Sequence, residues 1–216
     1  MKRNQSGFTL IEIAIVLVII GLLLGGVLKG QELINSAKVK NLAGDFRNIP
    51  VMIYGYQDKY RALPGDDISA LSHVSGVAAS TTVANLGNGV IDDKWDTATK
   101  TDESYVFWQH IRLAGLATGS TNVNDADFLP RNAVGGQIGI TNGMPANTPI
   151  TNLKGSYVIC SNSILGKFAK QLDITMDDGN TATGAMMTAT HVALATAEAA
   201  VPAPDDNTPY MVCMGF

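Results

Sequence analysis

The sequence predicts an α+β protein: a long N-terminal helix, membrane-spanning in its first half, packed on a C-terminal domain with an antiparallel sheet, short helices and long loops. Three observations predict it. An apolar run from Phe8 to about Leu28, interrupted by one carboxylate, follows the basic stub Met1-Lys2-Arg3-Asn4-Gln5-Ser6-Gly7. A second apolar stripe recurs at helical spacing from Val39 to Tyr60. Beyond residue 62, short β-branched and aromatic runs alternate with stretches rich in Gly, Asn, Ser and Thr, which is the pattern of strands and short helices separated by loops.

The first element is the apolar run. As a helix, Phe8 to Leu28 would be about 31 Å long at roughly 1.5 Å per residue, enough to span a bilayer. Glu12 is its anomaly. A charge within a membrane helix costs on the order of 2.5–3.5 kcal/mol on insertion scales, and by default it marks a function. The sequence has no Lys or Arg between Phe8 and Leu28. A cut between Gly7 and Phe8 would create an α-amine four residues from Glu12. A free helix start projects away along its axis, so that amine reaches the Glu12 of a neighbouring chain more readily than its own. Such a contact repeats head to tail, does not close, and generates a helical filament.

Gly7-Phe8-Thr9-Leu10-Ile11-Glu12 after a short basic leader resembles the signature of type IV prepilins, shared by type IV pilins and the pseudopilins of type II secretion. The resemblance covers about the first 60 residues and implies the fate of each motif residue. A prepilin peptidase would cut between Gly7 and Phe8. The same enzyme would N-methylate Phe8. Glu12 would guide assembly as one half of an intersubunit ion pair. Relatives often carry a proline near the end of the apolar run, where this chain has Lys29 and Gly30 after Gly25-Gly26. Those glycines loosen a helix, each by about 1 kcal/mol against alanine. An ordinary secretory signal would have a shorter apolar core with its small-residue cleavage site after it. A plain signal anchor, oriented with Lys2 and Arg3 in the cytoplasm, has no need of Glu12.

Composition agrees. A chain of 216 residues allows one anchored helix and a single domain of ordinary size, large enough to bury a core. Losing the leader removes Lys2 and Arg3 and leaves the chain more acidic than its formal charge of −4. A nucleic-acid groove as the main activity is therefore not expected, since phosphate binding needs clustered Lys and Arg. A second apolar span is lacking, which predicts a single crossing with everything after Lys29 exported.

The helix is expected to continue past the membrane. Val39, Leu42, Phe46, Ile49, Ile53, Tyr56 and Tyr60 fall at alternating gaps of three and four, one apolar face opposite a polar one. Glu32 and Asn35 occupy the upstream slots of that stripe, which argues against a separate coiled coil. The reading is one helix from Phe8 to about Arg61. Pro50 removes the donor to the Phe46 carbonyl and predicts a kink. Leu63-Pro64-Gly65-Asp66-Asp67 ends the element.

In the remaining domain, His73 to Gly89 reads as a surface loop. Asp102 is placed as the N-cap of a helix over Glu103–Leu116, with acidic Glu103 at its positive start and Gly119 as its stop. Trp108 reads as a core anchor. Residues 119 to 155 are loop-like apart from an apolar alternation at Gln137-Ile138-Gly139-Ile140. Ser156-Tyr157-Val158-Ile159-Cys160 predicts a strand. Ile164, Leu165, Phe168 and Leu172 suggest one face of a short helix. Further strands are expected within Ala185–Leu194 and at Tyr210-Met211-Val212-Cys213-Met214. Phe107-Trp108-Gln109-His110 with Ala114-Gly115-Leu116, and Asp177-Asp178-Gly179 with Thr183-Gly184, are similar to a group of large prepilin-like proteins.

Cys160 and Cys213 are the two cysteines. In an exported, oxidising compartment they are expected to pair, closing a loop of about 54 residues and contributing near 4 kcal/mol as an upper estimate. Such a bridge also resembles the C-terminal disulfide of type IV pilins, which many pseudopilins lack. Asp173, Asp177, Asp178 and Asn180 are candidate calcium ligands by donor type. They do not match EF-hand spacing, and Asp-Asp-Gly-Asn reads first as a tight turn, so no metal is expected. Asn88, Asp92, Asp93 and Asp96 are weaker candidates. No cofactor and no enzyme activity are expected. His73, His110 and His191 are scattered, without metal-ligand spacing, and His110 reads as structural. No Gly-x-Ser-x-Gly elbow and no phosphate-binding loop after a strand occur.

The expected organisation is a removed leader at 1–7, a transmembrane and filament-core helix at 8–28, an amphipathic continuation at 29–61 and a globular pilin-like domain at 62–216. The expected function is a structural subunit of a type IV pilus-like filament. The alternatives are a type II secretion pseudopilin or a low-copy minor pilin carrying a binding domain. The expected partners are other copies or related pilins, prepilin peptidase, an inner-membrane assembly platform and lipid. The expected location is the bacterial inner membrane, with a cytoplasmic N-terminus before assembly, then a pilus or periplasmic filament.

Overall fold

The computed structural model describes residues 10–79, 86–144, 148–190 and 197–216. The chain divides into two units, one up to Lys38 and one from Val39 to Phe216. Helix α1 (Leu10–Tyr60) contributes to both. In order follow α2 (Ala70–Val74), α3 (Glu103–Leu113), β1 (Ile138–Asn142), β2 (Tyr157–Leu165), α4 (Gly166–Met176), β3 (Met186–Ala189) and β4 (Pro209–Gly215). The result is an α+β fold with a four-stranded sheet of order β1-β2-β4-β3, antiparallel at every pairing.

The first unit is α1 alone. Its residues from Leu10 to Leu28 are exposed on all sides, and α1 is long and apolar enough to cross a membrane, with a mean hydropathy of 2.8 over its most apolar 18-residue stretch. Gly21, Gly25 and Gly26 stay helical. Lys29 and Glu32, one turn apart, pair at 2.6 Å where the apolar run ends.

In the second unit the predicted stripe is the buried face of α1. Val39, Leu42, Phe46, Ile49, Ile53 and Tyr56 are all buried, together with Ala43. All but Tyr56 share one apolar cluster with Phe107, Trp108 and Ile111 of α3, Ile140 and Ile159 of the sheet, and Phe168 and Leu172 of α4. The helix passes through Pro50 without ending. It ends at Tyr60, where Arg61 takes a positive φ of 57°, and the Leu63–Asp67 turn follows. Gly65 sits there at φ 95°, and a Cβ would lie 2.5 Å from the Glu103 carbonyl. Both the conformation and the space call for glycine.

Helix α3 is buried along its whole length from Glu103 to Arg112, so its polar side chains work inward, on loops. Gln109 Oε1 accepts from the Val77 N–H (2.9 Å) and its Nε2 donates to the Thr121 carbonyl (2.8 Å). Arg112 Nη1 donates to the carbonyls of Ser120 (2.8 Å) and Phe128 (2.7 Å). His110 is fully buried; its Nδ1 accepts from the Gly65 N–H at 3.0 Å and its Nε2 donates to the Val77 carbonyl at 2.8 Å. Burial holds its pKa below the usual imidazole value, so it is a neutral brace. Trp108 lies in the core, edge-on to Phe107.

Several predicted boundaries are corrected. The helix stop is Gly115, not Gly119. α3 ends at Leu113, Gly115 has φ 76°, and the Leu116 N–H reaches back to the Ile111 carbonyl (2.9 Å) while Gly115 N–H bonds Arg112. That is a Schellman closure. Gly119 instead lets Arg112 lie against the backbone, its Nε only 2.8 Å from where a Cβ would be. Asp102 holds the N-cap position, but its side chain does not cap the helix. Its carboxylate accepts from Thr97 Oγ1, and the Glu103 N–H donates to Asp93 Oδ2 at 3.3 Å. Ile164 and Leu165 are not helical. They end β2, opposite Tyr210 and Pro209 of β4 past an irregularity after Ser161, and α4 begins only at Gly166. The strand expected within Ala185–Leu194 is β3, Met186–Ala189; residues 191 to 194 lie outside the described residues. The loop expected from His73 starts after α2 has ended at Val74.

Candidate functional site

The described part of the N-terminal motif, Leu10 to Glu12, lies on an extended exposed apolar surface. Glu12 sits in the first turn of α1, where the positive end of the helix dipole favours a carboxylate. Around it Leu10, Ile11, Ile13 and Ile15 stand exposed, Leu10 at 89 %. Leu10 to Leu28 covers about 28 Å of helix axis, within reach of a bilayer core. Apolar surface on this scale seeks lipid or other apolar helices. Gly7 and Phe8, the expected cleavage and methylation residues, lie outside the described residues.

The disulfide joins the centre of the sheet. Cys160 of β2 and Cys213 of β4 are opposite one another in register, fully buried, and bonded, with Cα atoms 4.1 Å apart. The bridge links neighbouring strands and sits among Trp95, Val158, Met187 and Met211.

A second polar constellation follows the end of α1. Asp67 is buried, and its Oδ2 accepts from Tyr56 Oη (2.7 Å) and faces His73 Nδ1 (2.7 Å), while Oδ1 accepts from the Ser69 N–H (2.8 Å). Burial acts to raise the Asp67 pKa, but the bonds from His73, Tyr56 and Ser69 and the charge of His73 outweigh it and hold it below the usual carboxylate value. Burial and the Asp67 bond push the Tyr56 hydroxyl up. Tyr60 stacks on His73 with ring centres 5.4 Å apart. Tyr60, Arg61, Asp67, Ser69 and His73 line an open cavity of about 560 Å³, with Tyr56 buried behind Asp67. The sequence holds no signal for this cluster, because Tyr56, Asp67 and His73 come from a helix, a turn and α2 at irregular spacing.

Of the candidate calcium ligands, Asp173, Asp177 and Asp178 come together, with an oxygen of each within 4.8 Å of the others. Asn180 Oδ1 accepts from the Ala182 N–H at 3.2 Å. Of the weaker set, Asp92 accepts from the Asn88 and Asn142 side chains, and Asp93 from the Glu103 N–H. His73 bonds Asp67, whereas His110 bonds the backbone of Gly65 and Val77 and stacks on Tyr56, and His191 lies outside the described residues.

With the geometry in place, residues 2–28 match the family model described as the prokaryotic N-terminal methylation motif. Residues 2–28 thus carry the N-terminal motif of the class III leader type found in type IV pilins and pseudopilins. No curated protein and no solved structure matches the chain.

Proposed function

We propose that this chain is a structural subunit of a type IV pilus-like filament, not an enzyme. The methylation motif at residues 2–28, set on an exposed apolar helix, carries the reading. The chain inserts by its basic leader with Lys2 and Arg3 cytoplasmic and is held in the inner membrane as a single pass. Prepilin peptidase cuts between Gly7 and Phe8 and methylates the new amine of Phe8. An assembly platform then extracts the helix from lipid, and the apolar faces of successive helices bury one another, the non-directional term that drives polymerisation. Glu12 supplies direction. It pairs with the Phe8 amine of the adjoining subunit, which fixes the axial register where apolar contact alone would let helices slide.

The Cys160–Cys213 bridge favours a pilin over a type II secretion pseudopilin. A bridge is compatible with any exported, oxidising compartment; the preference rests on its resemblance to the C-terminal disulfide of type IV pilins, which many pseudopilins lack.

Glu12→Ala tests the reading. The variant should be cut at Gly7–Phe8 and accumulate in the membrane, yet be missing from filaments sheared off the cell surface. Normal filament yield from Glu12→Ala would overturn it.

A further inference from the structure

Asp173 stands on the last turn of α4, fully buried, and neither of its carboxylate oxygens accepts a well-formed hydrogen bond. The carboxylates of Asp177 and Asp178 converge on it, an oxygen of each within 4.8 Å of the others. Among the described residues none of these three carboxylates is ion-paired; Lys170, on the same helix, pairs with Asp206 instead. A buried carboxylate without a donor is costly, and two more carboxylates beside it add repulsion. The arrangement lacks a counter-charge at the point where the three converge.

We propose that Asp173, Asp177 and Asp178 bind a divalent cation of the calcium type. Asp173 supplies the buried side of the site, and Asp177 and Asp178 close it from the loop between α4 and β3. The donors are all hard oxygens, which suit calcium over zinc or copper. Ligands about 2.3–2.6 Å from one ion stand at most about 4.6–5.2 Å apart, and the three carboxylates fall within 4.8 Å of one another. Each has capacity left. Both Asp173 oxygens are unbonded, Asp177 Oδ1 is unused while Oδ2 accepts from the Met186 N–H (2.8 Å), and Asp178 accepts one bond per oxygen, from Asn180 N–H and Thr183 Oγ1 (both 2.8 Å). A carboxylate oxygen has a second lone pair for a metal. Asp178 is exposed, which leaves its side of the ion open to the waters that complete calcium coordination. The bound ion would tie the end of α4 to the start of β3 through the Asp177–Met186 link. The inference is independent of the filament reading.

The test is calorimetric titration of the full-length chain, held in detergent micelles and stripped of metal by a chelator, with calcium chloride at neutral pH, alongside thermal unfolding. Saturable one-site binding with Kd on the order of 10⁻⁴ M is expected, with a melting temperature that climbs with calcium concentration by mass action. Asp178→Asn should weaken binding by about tenfold or more, read against that variant's own calcium-free melting temperature. Asp173→Asn should abolish the saturable heat. Should that variant fail to fold, Asp178→Asn still decides the question, because its side chain is at the surface. The proposal is overturned if millimolar calcium gives neither saturable heat nor a melting shift, or if Asp178→Asn binds as tightly as the parent. A shared proton on Asp173 is the rival solution; it predicts stabilisation by acid and none by calcium.

Discussion

Glu12 and Asp45 are carboxylates on the same helix with opposite physical problems. Glu12 lies in the first turn among exposed Leu and Ile, in a stretch whose natural solvent is lipid. In the proposed filament its value would be specificity: an acid in an apolar seam restricts which neighbour and which register are acceptable. Asp45 lies in the second unit, partly buried beside Trp108, Arg112 and Arg131 around a cavity of about 190 Å³. Burial pushes its pKa up to about 6. A folded-state value above the unfolded one means that Asp45 contributes stability below about pH 4, and that this contribution fades as pH rises through about 6. Asp45→Asn should therefore raise stability at pH 7 by about 2 kcal/mol or less and flatten the gain otherwise seen between pH 7 and 4. Urea unfolding followed by the fluorescence of buried Trp95 and Trp108 measures both. Gly139 has a steric reason instead. A Cβ there would sit 1.8 Å from the Trp95 carbonyl, so Gly139→Ala should cost more than about 2 kcal/mol by forcing backbone apart, read in the same unfolding experiment.

At the scale of elements, α1 does two jobs with two patterns. Up to Leu28 it is apolar all round; from Val39 it buries one stripe. Phe46→Ala should cost about 3–5 kcal/mol, whereas Val51→Ala, on the exposed face of the same helix, should change the unfolding free energy by less than about 0.5 kcal/mol. The sheet is held across its centre by the Cys160–Cys213 bond, and the double Cys→Ala variant should lose about 2–4 kcal/mol in unfolding under non-reducing conditions. Elements with a strong period were readable in the sequence. The stripe from Val39 to Tyr56 and the strands at Tyr157 and Tyr210 stand where their patterns put them. Ile164 and Leu165 were not readable, because their spacing to Phe168 and Leu172 is helical. Their pairing with Tyr210 and Pro209 is a long-range contact that overrides local pattern. The helix stop was misread for a related reason: Gly115 and Gly119 both follow α3, and only the backbone bonds of Leu116 and Gly115 distinguish a closure from a glycine making room for Arg112.

For the whole molecule, the motif at residues 2–28 was legible because its chemistry is local: leader, cut site, carboxylate and apolar run are consecutive. The Asp67 cluster was not, because it depends on proximity that only the fold creates; Asp173, Asp177 and Asp178 were legible as candidate oxygen ligands, but the enclosure of Asp173 was not. Asp173 reads in sequence as one more acid near a turn, and becomes informative once its oxygens are seen to be enclosed and without donors. The function follows the same division. On the proposed reading the N-terminal part would specify polymerisation in a few contiguous residues, and the remaining domain supplies a disulfide-braced fold with long loops, the part of the chain free to vary with what a filament contacts. The central claim is that one cut turns a membrane-anchored precursor into a filament subunit. Mass spectrometry of the N-terminal peptide from filaments sheared off the cell surface tests it most directly. The account predicts a peptide that begins at Phe8 and carries one methyl group on its amine; a surface peptide that still begins at Met1, or absence of the chain from sheared material while it remains whole in the membrane, would contradict it.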